Sequence, residues 1–483
     1  MRMEIGGLLV LLLACCFAPA GEIFNEKRVK ELEKMIEDAG IYIETAKKGV
    51  VLSGWVDASY TYNFNGGGTD MGINGSPGPI RTHALDIDSN DFNVNQVDIS
   101  LDKALPQENT WAGGFHVDIG FGEDVKRFGE NDPGLGGNGV TIIQGYVNFR
   151  VPVGNGLDFQ FGKFASPMLG FEVVPTPANV NVSRSYWATV GAPLLHTGFL
   201  MGYRFNEWLD AKLGLVNGWN NSDSNFLDGF VDGENGDDGP SDFAKAILAQ
   251  LALHAPGGNA DLFNNFIYST EGERLVGLTS SSLEPIGEIA TVPAYENGGV
   301  FLWNIWGQWA PVAFQDRLLL AFNAGIGKTF DDHQGHWTET TLADAVGVDE
   351  NTDTWWGAAI YARYRLTDVL SLALRAEYFR DGDGTARVQD LAANYADNEN
   401  WSDNDWSRYY VNSTDLWSLT ATLGFDLWEN MLMRLEYRMD IASSDGGNAI
   451  EGPDGTEDGV EQDVFTNNQG QQHTFILNLS YTF

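Results

Sequence analysis

Met431-Leu432-Met433-Arg434-Leu435-Glu436-Tyr437-Arg438-Met439-Asp440-Ile441 is the stretch on which the fold turns. Arg434, Glu436, Arg438 and Asp440 occupy every second position, and the positions between them hold leucine, methionine and tyrosine. Successive side chains of a β-strand point to opposite faces, so this segment is a strand with one ionised face and one greasy face. Turning the ionised face to hydrocarbon would cost about 2–4 kcal/mol for each arginine near the middle of a bilayer. The register is therefore fixed: in a membrane the charges face inward and the greasy face meets lipid.

The same period of two recurs along the chain. Val50–Asn65 alternates Val50, Leu52, Gly54, Val56, Ala58, Tyr60, Tyr62 and Phe64 with Ser53, Asp57, Ser59, Thr61 and Asn63. Further segments are Trp111–Phe121, Thr197–Phe205, Leu209–Leu215, Phe301–Trp309, Leu318–Ile326, Leu370–Tyr378, Trp417–Leu427 and Phe475–Phe483. Asn90–Leu105, Val140–Val153, Leu157–Phe164 and Trp355–Leu366 alternate less regularly. Short links such as Asn206-Glu207, Thr367-Asp368 and Glu429-Asn430 take turns with long loops rich in Gly, Asp and Asn, including Gly66–Ser89, Glu123–Gly139, Asp331–Asp353, Asp381–Asp415 and Ser443–Gln472. A soluble sandwich wants two inner faces sharing a dry core. Here the inward residues read as polar and the other face as Leu, Val, Phe and Trp. The expectation is an all-β, up-and-down antiparallel transmembrane barrel. Asp242–Ala255 has the composition of a helix, but Pro256-Gly257-Gly258-Asn259 followed by Ala260–Ser269 reads better as a hairpin. With that hairpin the count is about 16 strands within a range of 14–18, and an even number places both chain ends on the periplasmic side.

Leu8 to Phe17 is an apolar run followed by Ala18-Pro19-Ala20, so residues 1–20 read as an export signal cleaved after Ala20. A lipoprotein signal with Leu12-Leu13-Ala14 before Cys15 is the other reading. Residues 21–49 carry a short amphipathic helix, with Val29, Leu32, Ile36 and Ala39 at helical spacing, Asn25 as cap and Gly40 as stop. Residues 50–483 form the barrel. Its Phe475–Phe483 end, alternating and closing on an aromatic, is the strand that barrel-assembly machinery would engage. The location expected is the outer membrane of a Gram-negative bacterium.

The chain has 483 residues with 28 Lys and Arg against 67 Asp and Glu, a net charge of −39. Such acidity repels phosphate backbones, so nucleic acid is excluded as a partner. Both cysteines, Cys15 and Cys16, fall in the leader, which removes Cys-ligated metals and disulfides from the mature chain. No cofactor is expected.

Tyr146–Asp158, Gly162-Lys163-Phe164-Ala165-Ser166-Pro167, Glu172, Asn179, Ser183-Arg184-Ser185, His196-Thr197-Gly198 and Val216-Asn217-Gly218-Trp219-Asn220 resemble the OmpL-like outer-membrane β-barrel porins, as does Leu52–Tyr60. The resemblance extends from Val50 to Phe483 and is specific only in the stretch from Gln144 to Asn221. It implies a non-enzymatic channel for passive diffusion of ions and small hydrophilic solutes.

On that reading the chemistry is the electrostatics of the lumen. Period-two registers put His116, Asp118, Gln144, Arg150, His196, Arg204, Asp210, Lys212, Arg375, Glu377, Arg434, Glu436, Arg438 and Asp440 on inward faces as pore-lining candidates. The loop Ser166–Leu195 is long yet poor in Asp and Gly, and carries Phe171, Val173, Val174, Val180, Tyr186 and Trp187. An apolar loop must bury itself. The expectation is that it folds into the lumen as the constriction, with Glu172, Asn179, Asn181 and Arg184 near the eyelet; the alternative is packing over the rim or against a neighbouring protomer. Acidic runs at Asp228–Asp242, Asp397–Asp405 and Glu451–Asp463 place much of the charge at the outer mouth, which favours cations mildly. Outer-membrane lipid and lipopolysaccharide are expected partners, and a homotrimer is one possible assembly.

Two other function classes are an outer-membrane hydrolase and a surface adhesin or scaffold. A hydrolase needs a Ser/His/Asp-type grouping at one height of the barrel, and no Gly-x-Ser-x-Gly elbow is present. Asp331-Asp332-His333-Gln334-Gly335-His336 is the one histidine-rich cluster and matches no zinc spacing. Asp381–Gly384 and Asp232–Asp238 are rich in hard oxygen ligands without completing an EF-hand.

Overall fold

The computed structural model describes residues 49–64, 83, 85, 90–106, 108–128, 139–218, 245–269, 298–331, 354–381, 415–443 and 471–483. The export signal, the amphipathic helix, the histidine-rich cluster after Asp331, the two calcium-like loops and the three acidic runs lie outside those residues.

Sixteen strands close into one antiparallel barrel. They are β1 (Val51–Asn63), β2 (Asp91–Lys103), β3 (Ala112–Phe121), β4 (Val140–Val151), β5 (Leu157–Ala165), β6 (Leu195–Asn206), β7 (Leu209–Val216) and β8 (Ala246–His254), then β9 (Ala260–Ser269), β10 (Gly298–Trp309), β11 (Leu318–Asp331), β12 (Thr354–Arg365), β13 (Leu370–Asp381), β14 (Asp415–Trp428), β15 (Met431–Ser443) and β16 (Gln471–Thr482). Each strand pairs with its sequence neighbours. The hairpin expected over 242–269 is the β8–β9 pair, from Ala246↔Ser269 to His254↔Asp261. One six-residue helix, α1 (Glu123–Phe128), occupies the β3–β4 connection and starts with Glu123 and Asp124, acids that suit a helix N-terminus.

The barrel closes where β1 meets β16, from Trp55↔Thr482 to Asn63↔Thr474. The chain terminus extends that seam: Gly54 and Phe483 exchange both backbone hydrogen bonds, at 3.0 and 2.9 Å. Inside the seam, the fully buried carboxylate of Asp57 accepts from Asn478 Nδ2 at 2.9 Å, Ser480 Oγ at 2.5 Å and Asn95 Nδ2 at 3.1 Å. The tightest links are two residues long, as between β14 and β15, where Asn430 adopts a left-handed φ of 66° that asparagine tolerates. The start of β1 at Val51 and the terminus at Phe483 sit at this short-turn end, the periplasmic end in barrels of this build.

The outer face is apolar as expected, with Val56, Ile99, Val147, Phe161, Leu215, Ile247, Ile360, Trp417 and Leu479 exposed on it. The inner face departs from expectation. Leu200, Val216, Leu248, Ile267, Leu302 and Trp355 point inward and are buried. Polarity of the lumen therefore predominates on β13–β16, β1 and β2, despite inward Phe379, Leu416 and Ile476, and fails in the upper part of β6–β12. The cause is what covers those strands.

Candidate functional site: the inward loop and the charged wall

The connection between β5 and β6, residues 166–194, folds into the barrel. Its root is fixed by Ser166, whose Oγ lies 2.9 Å from His196 Nε2 and accepts from the Met168 amide. Met168, Tyr186, Trp187 and Val190 then pack against Leu200, Leu248, Ile267, Leu302, Trp355 and Phe379 of the wall in one buried cluster. Burying each large apolar side chain contributes about 1.5–3 kcal/mol. Room for the indoles comes from Gly325, where any Cβ would collide with the Trp187 ring, and Gly327, where it would collide with Trp355. Both indole N–H groups donate to loop carbonyls: Trp187 to Met168 at 3.0 Å and Trp355 to Gly191 at 2.9 Å. On the loop's other side, Leu169, Val174 and Ala188 pack with Val125 of α1, Ile143 of β4 and Leu195.

Below the apolar cluster, four inward amides on neighbouring strands form a ladder. Gln250 donates to Asn265 at 2.8 Å, Asn265 to Asn304 at 2.9 Å, and Asn304 to Asn323 at 2.7 Å. Asn323 ends the ladder by donating to the Leu169 carbonyl at 3.2 Å. The loop comes so close here that Gly170, at φ 87°, has no space for a side chain against Asn323.

The opposite side of the loop meets β13–β16, and the contact is ionic. Glu436 accepts from the amides of Val182 and Ser183 at 2.6 and 2.9 Å, and Glu377 from that of Tyr186 at 2.7 Å. Arg375 donates to the Ser183 carbonyl at 2.5 Å and meets Glu172 at 3.1 Å. Arg434 reaches the carbonyls of Thr176 and Asn179, each at 3.1 Å, and Arg438 that of Arg184 at 2.6 Å. Tyr186 donates to Asp440 at 2.8 Å and lies under the Arg438 guanidinium. Burial, then the nearby Asp440, push the Tyr186 phenol well above its ordinary range. His83, from the β1–β2 loop, places Nε2 3.7 Å from Asp440. Burial, then Arg438, lower the His83 imidazole below its ordinary 6.5.

These contacts locate the expected residues. Arg375, Glu377, Arg434, Glu436, Arg438 and Asp440 do face inward, but the loop occupies them and none is more than 5 % exposed. Buried charges of this kind need such partners, because desolvation otherwise costs several kcal/mol per ion. Of the four residues expected at an eyelet, Glu172, Asn181 and Arg184 are buried and Asn179 is half-buried. They shape and seat the loop instead: Asn179 caps Val173 and Pro175, Arg184 Nη2 donates to Val174, Glu172 holds Ser185, and Asn181 donates to Thr422. The water-facing charges lie toward the periplasmic end. There Arg204 and Lys212 are exposed and Arg150 pairs with Asp158 at 2.6 Å. His116 sits between Asp102 at 3.0 Å and Asp118 at 2.8 Å, and His254 between Asp210 at 2.9 Å and Asp261 at 2.7 Å. Each histidine spends its two nitrogens on two different carboxylates, which is a bridging geometry and not that of ligands converging on one ion.

In the half of the barrel toward the long loops, every strand carries an inward residue no more than 5 % exposed, from Asp57 on β1 to Thr474 on β16. The loop spans from Asn323 on β11 to the β4 side, and from His196 at its root to Glu436 on β15. It crosses the lumen rather than lining one wall.

One solved barrel shares this architecture at low sequence identity. OprB of Pseudomonas putida matches with a TM-score of 0.51 at 12% identity, covering 92% of this chain and 97% of that one. The outer membrane channel DcaP of Acinetobacter baumannii gives 0.47 at 10%, covering 90% and 97%. An anion-selective porin from Comamonas acidovorans gives 0.48 at 10%, covering 90% and 99%. The sequence finds no match among curated proteins. A family model, that of the OmpL-like beta-barrel porin-2 proteins (BBP2), matches residues 49–483, and the chain belongs to that family.

Proposed function

We propose that the protein is an outer-membrane channel for passive movement of ions and small hydrophilic solutes, with a mild preference for cations. The observation that carries this reading is the closed barrel whose inward charges of both signs stand behind an apolar outer belt, a construction with no use in a soluble protein. The periplasmic half of the lumen offers a wetted, mixed-charge vestibule built from Arg150, Arg204, Asp210 and Lys212. The cation preference rests on the sequence alone. Asp228, Asp232, Glu234, Asp237, Asp238 and Asp242 fall in one connection, and Glu451, Asp454, Glu457, Asp458, Glu461 and Asp463 in another, with no Lys or Arg between them. Such mouths concentrate cations within a Debye length, about 10 Å at 0.1 M salt.

The test is a planar bilayer under a salt gradient. Current steps with a reversal potential on the cation side, shrinking as salt rises, support the reading. Steps with firm anion selectivity remove the preference, and a folded protein that never conducts removes the channel.

A further inference from the structure

The two sides of the inward loop differ in a way that assigns them different jobs. One side is dry: Met168, Trp187 and Val190 sit in an apolar cluster with Leu248, Leu302 and Trp355. Exposing it would cost about 25 cal/mol for each Å² of apolar surface returned to water. The other side meets the wall through charges and backbone groups; Arg184 Nη1 has no hydrogen-bond partner there, while Glu377 Oε1 pairs with Arg375 Nε at 3.2 Å and Arg438 Nη2 at 3.8 Å, contacts within the wall that do not need the loop. Water can replace the loop at such a surface group for group, so separation there is cheap by comparison.

We infer that the loop is a hinged plug. Its root and dry side, Val174 included, stay fixed, its tip around residues 176–184 swings off β13–β16 and gives up the small apolar contact of Val180 with Ala359 and Tyr361, and the wall charges Arg375, Arg434 and Glu436 become the lining of the open path. The inference rests on the channel reading. It adds that the barrel has a closed state, with the selectivity residues concealed in it. A path flanked by alternating signs suits small dipolar solutes that carry both charges, which each rung of the wall can meet in turn.

Tethering decides it. In a chain carrying Cys15→Ser and Cys16→Ser, the pair Asn181→Cys and Thr422→Cys fixes the tip when joined by oxidation to a disulfide, because the native side chains touch at 2.7 Å. The pair Ser166→Cys and His196→Cys fixes the root, where the native contact is 2.9 Å. Single-channel recording of folded protein should show the open fraction falling about tenfold or more with the tip joined and unchanged with the root joined. In the otherwise native barrel, Ser183→Cys should react with a water-soluble thiol reagent about tenfold faster than Ala188→Cys. Native steps that persist with the tip joined, or equal reactivity at 183 and 188, overturn the hinge while leaving a channel. Silence of the native and unjoined proteins alike overturns the channel reading first.

Discussion

Glu436 on β15 holds Val182 by its backbone amide at 2.6 Å, and the same carboxylate takes the amide of Ser183 and the hydroxyl of Thr422. One side chain thus seats the loop tip through main-chain atoms. Glu436→Gln replaces one of the two acceptor oxygens with a donor that faces an N–H. Loss of such a buried bond costs about 1–3 kcal/mol. The expected result is more frequent or longer openings in single-channel records, with heat-modifiable folding on gels retained.

The amide ladder gives a separate handle. Asn304 both donates to Asn323 and accepts from Asn265, so Asn304→Leu strands two buried amides at once. Each stranded group costs about 1–3 kcal/mol. The barrel should lose its resistance to heating in detergent at a lower temperature, whereas Ser371→Ala, near the periplasmic rim, should leave it unchanged.

At the seam, Gly54 lies beneath the Phe483 ring, and a Cβ would also collide with the Asp98 carbonyl. Gly54→Val should therefore impair closure of β1 on β16, by at least the 1–3 kcal/mol typical of overpacking. The measurement is the yield of the heat-modifiable form in refolding trials. Removal of Phe483 should lower the same yield, because it deletes both bonds to Gly54.

Acid should act through His83. Its imidazole is held below the ordinary 6.5 by burial and by Arg438, with Asp440 and Glu436 opposing. The folded protein therefore binds fewer protons there than the unfolded chain, and stability tied to His83 is complete above pH 6.5 and declines as pH falls below it. Protease should cut the β1–β2 connection faster at pH 5 than at pH 7.5. His83→Phe, which has nothing to titrate, should flatten that difference.

The strands were legible because period two survives in residues as plain as Arg434, Glu436, Arg438 and Asp440. The β8–β9 hairpin was legible from Pro256–Asn259, although Ala244, Ala246 and Leu248 have helical composition. The inward course of residues 166–194 followed from an apolar loop needing cover. What period two cannot tell is whether an inward face meets water or another piece of chain. Trp355 and Leu302 are inward apolar residues whose cover lies far away in sequence, at Gly191 and Met168. Glu172 and Arg184 looked like eyelet charges for the same reason; their partners Arg375 and Val174 emerge only when the loop is placed. The contact of His83 with Asp440 joins the β1–β2 connection to β15, and spacing carries no trace of it. Half of the amide ladder was within reach: the turn at 255–259 sets Gln250 opposite Asn265, and the one at 310–317 sets Asn304 opposite Gly325, on the same face as Asn323 two residues before it. Joining the halves needs the β9–β10 register, which no short turn supplies.

Arg434 touches the loop carbonyls, the Asn478 amide oxygen at 2.8 Å and, at 3.6 Å, the seam carboxylate of Asp57. The cross-link that seats the insert is thus also mortar in the joint that completes the cylinder. Cylinder and insert should then assemble as one cooperative unit, and a barrel with residues 166–194 excised would have to close its seam beside a guanidinium lacking half its ligands.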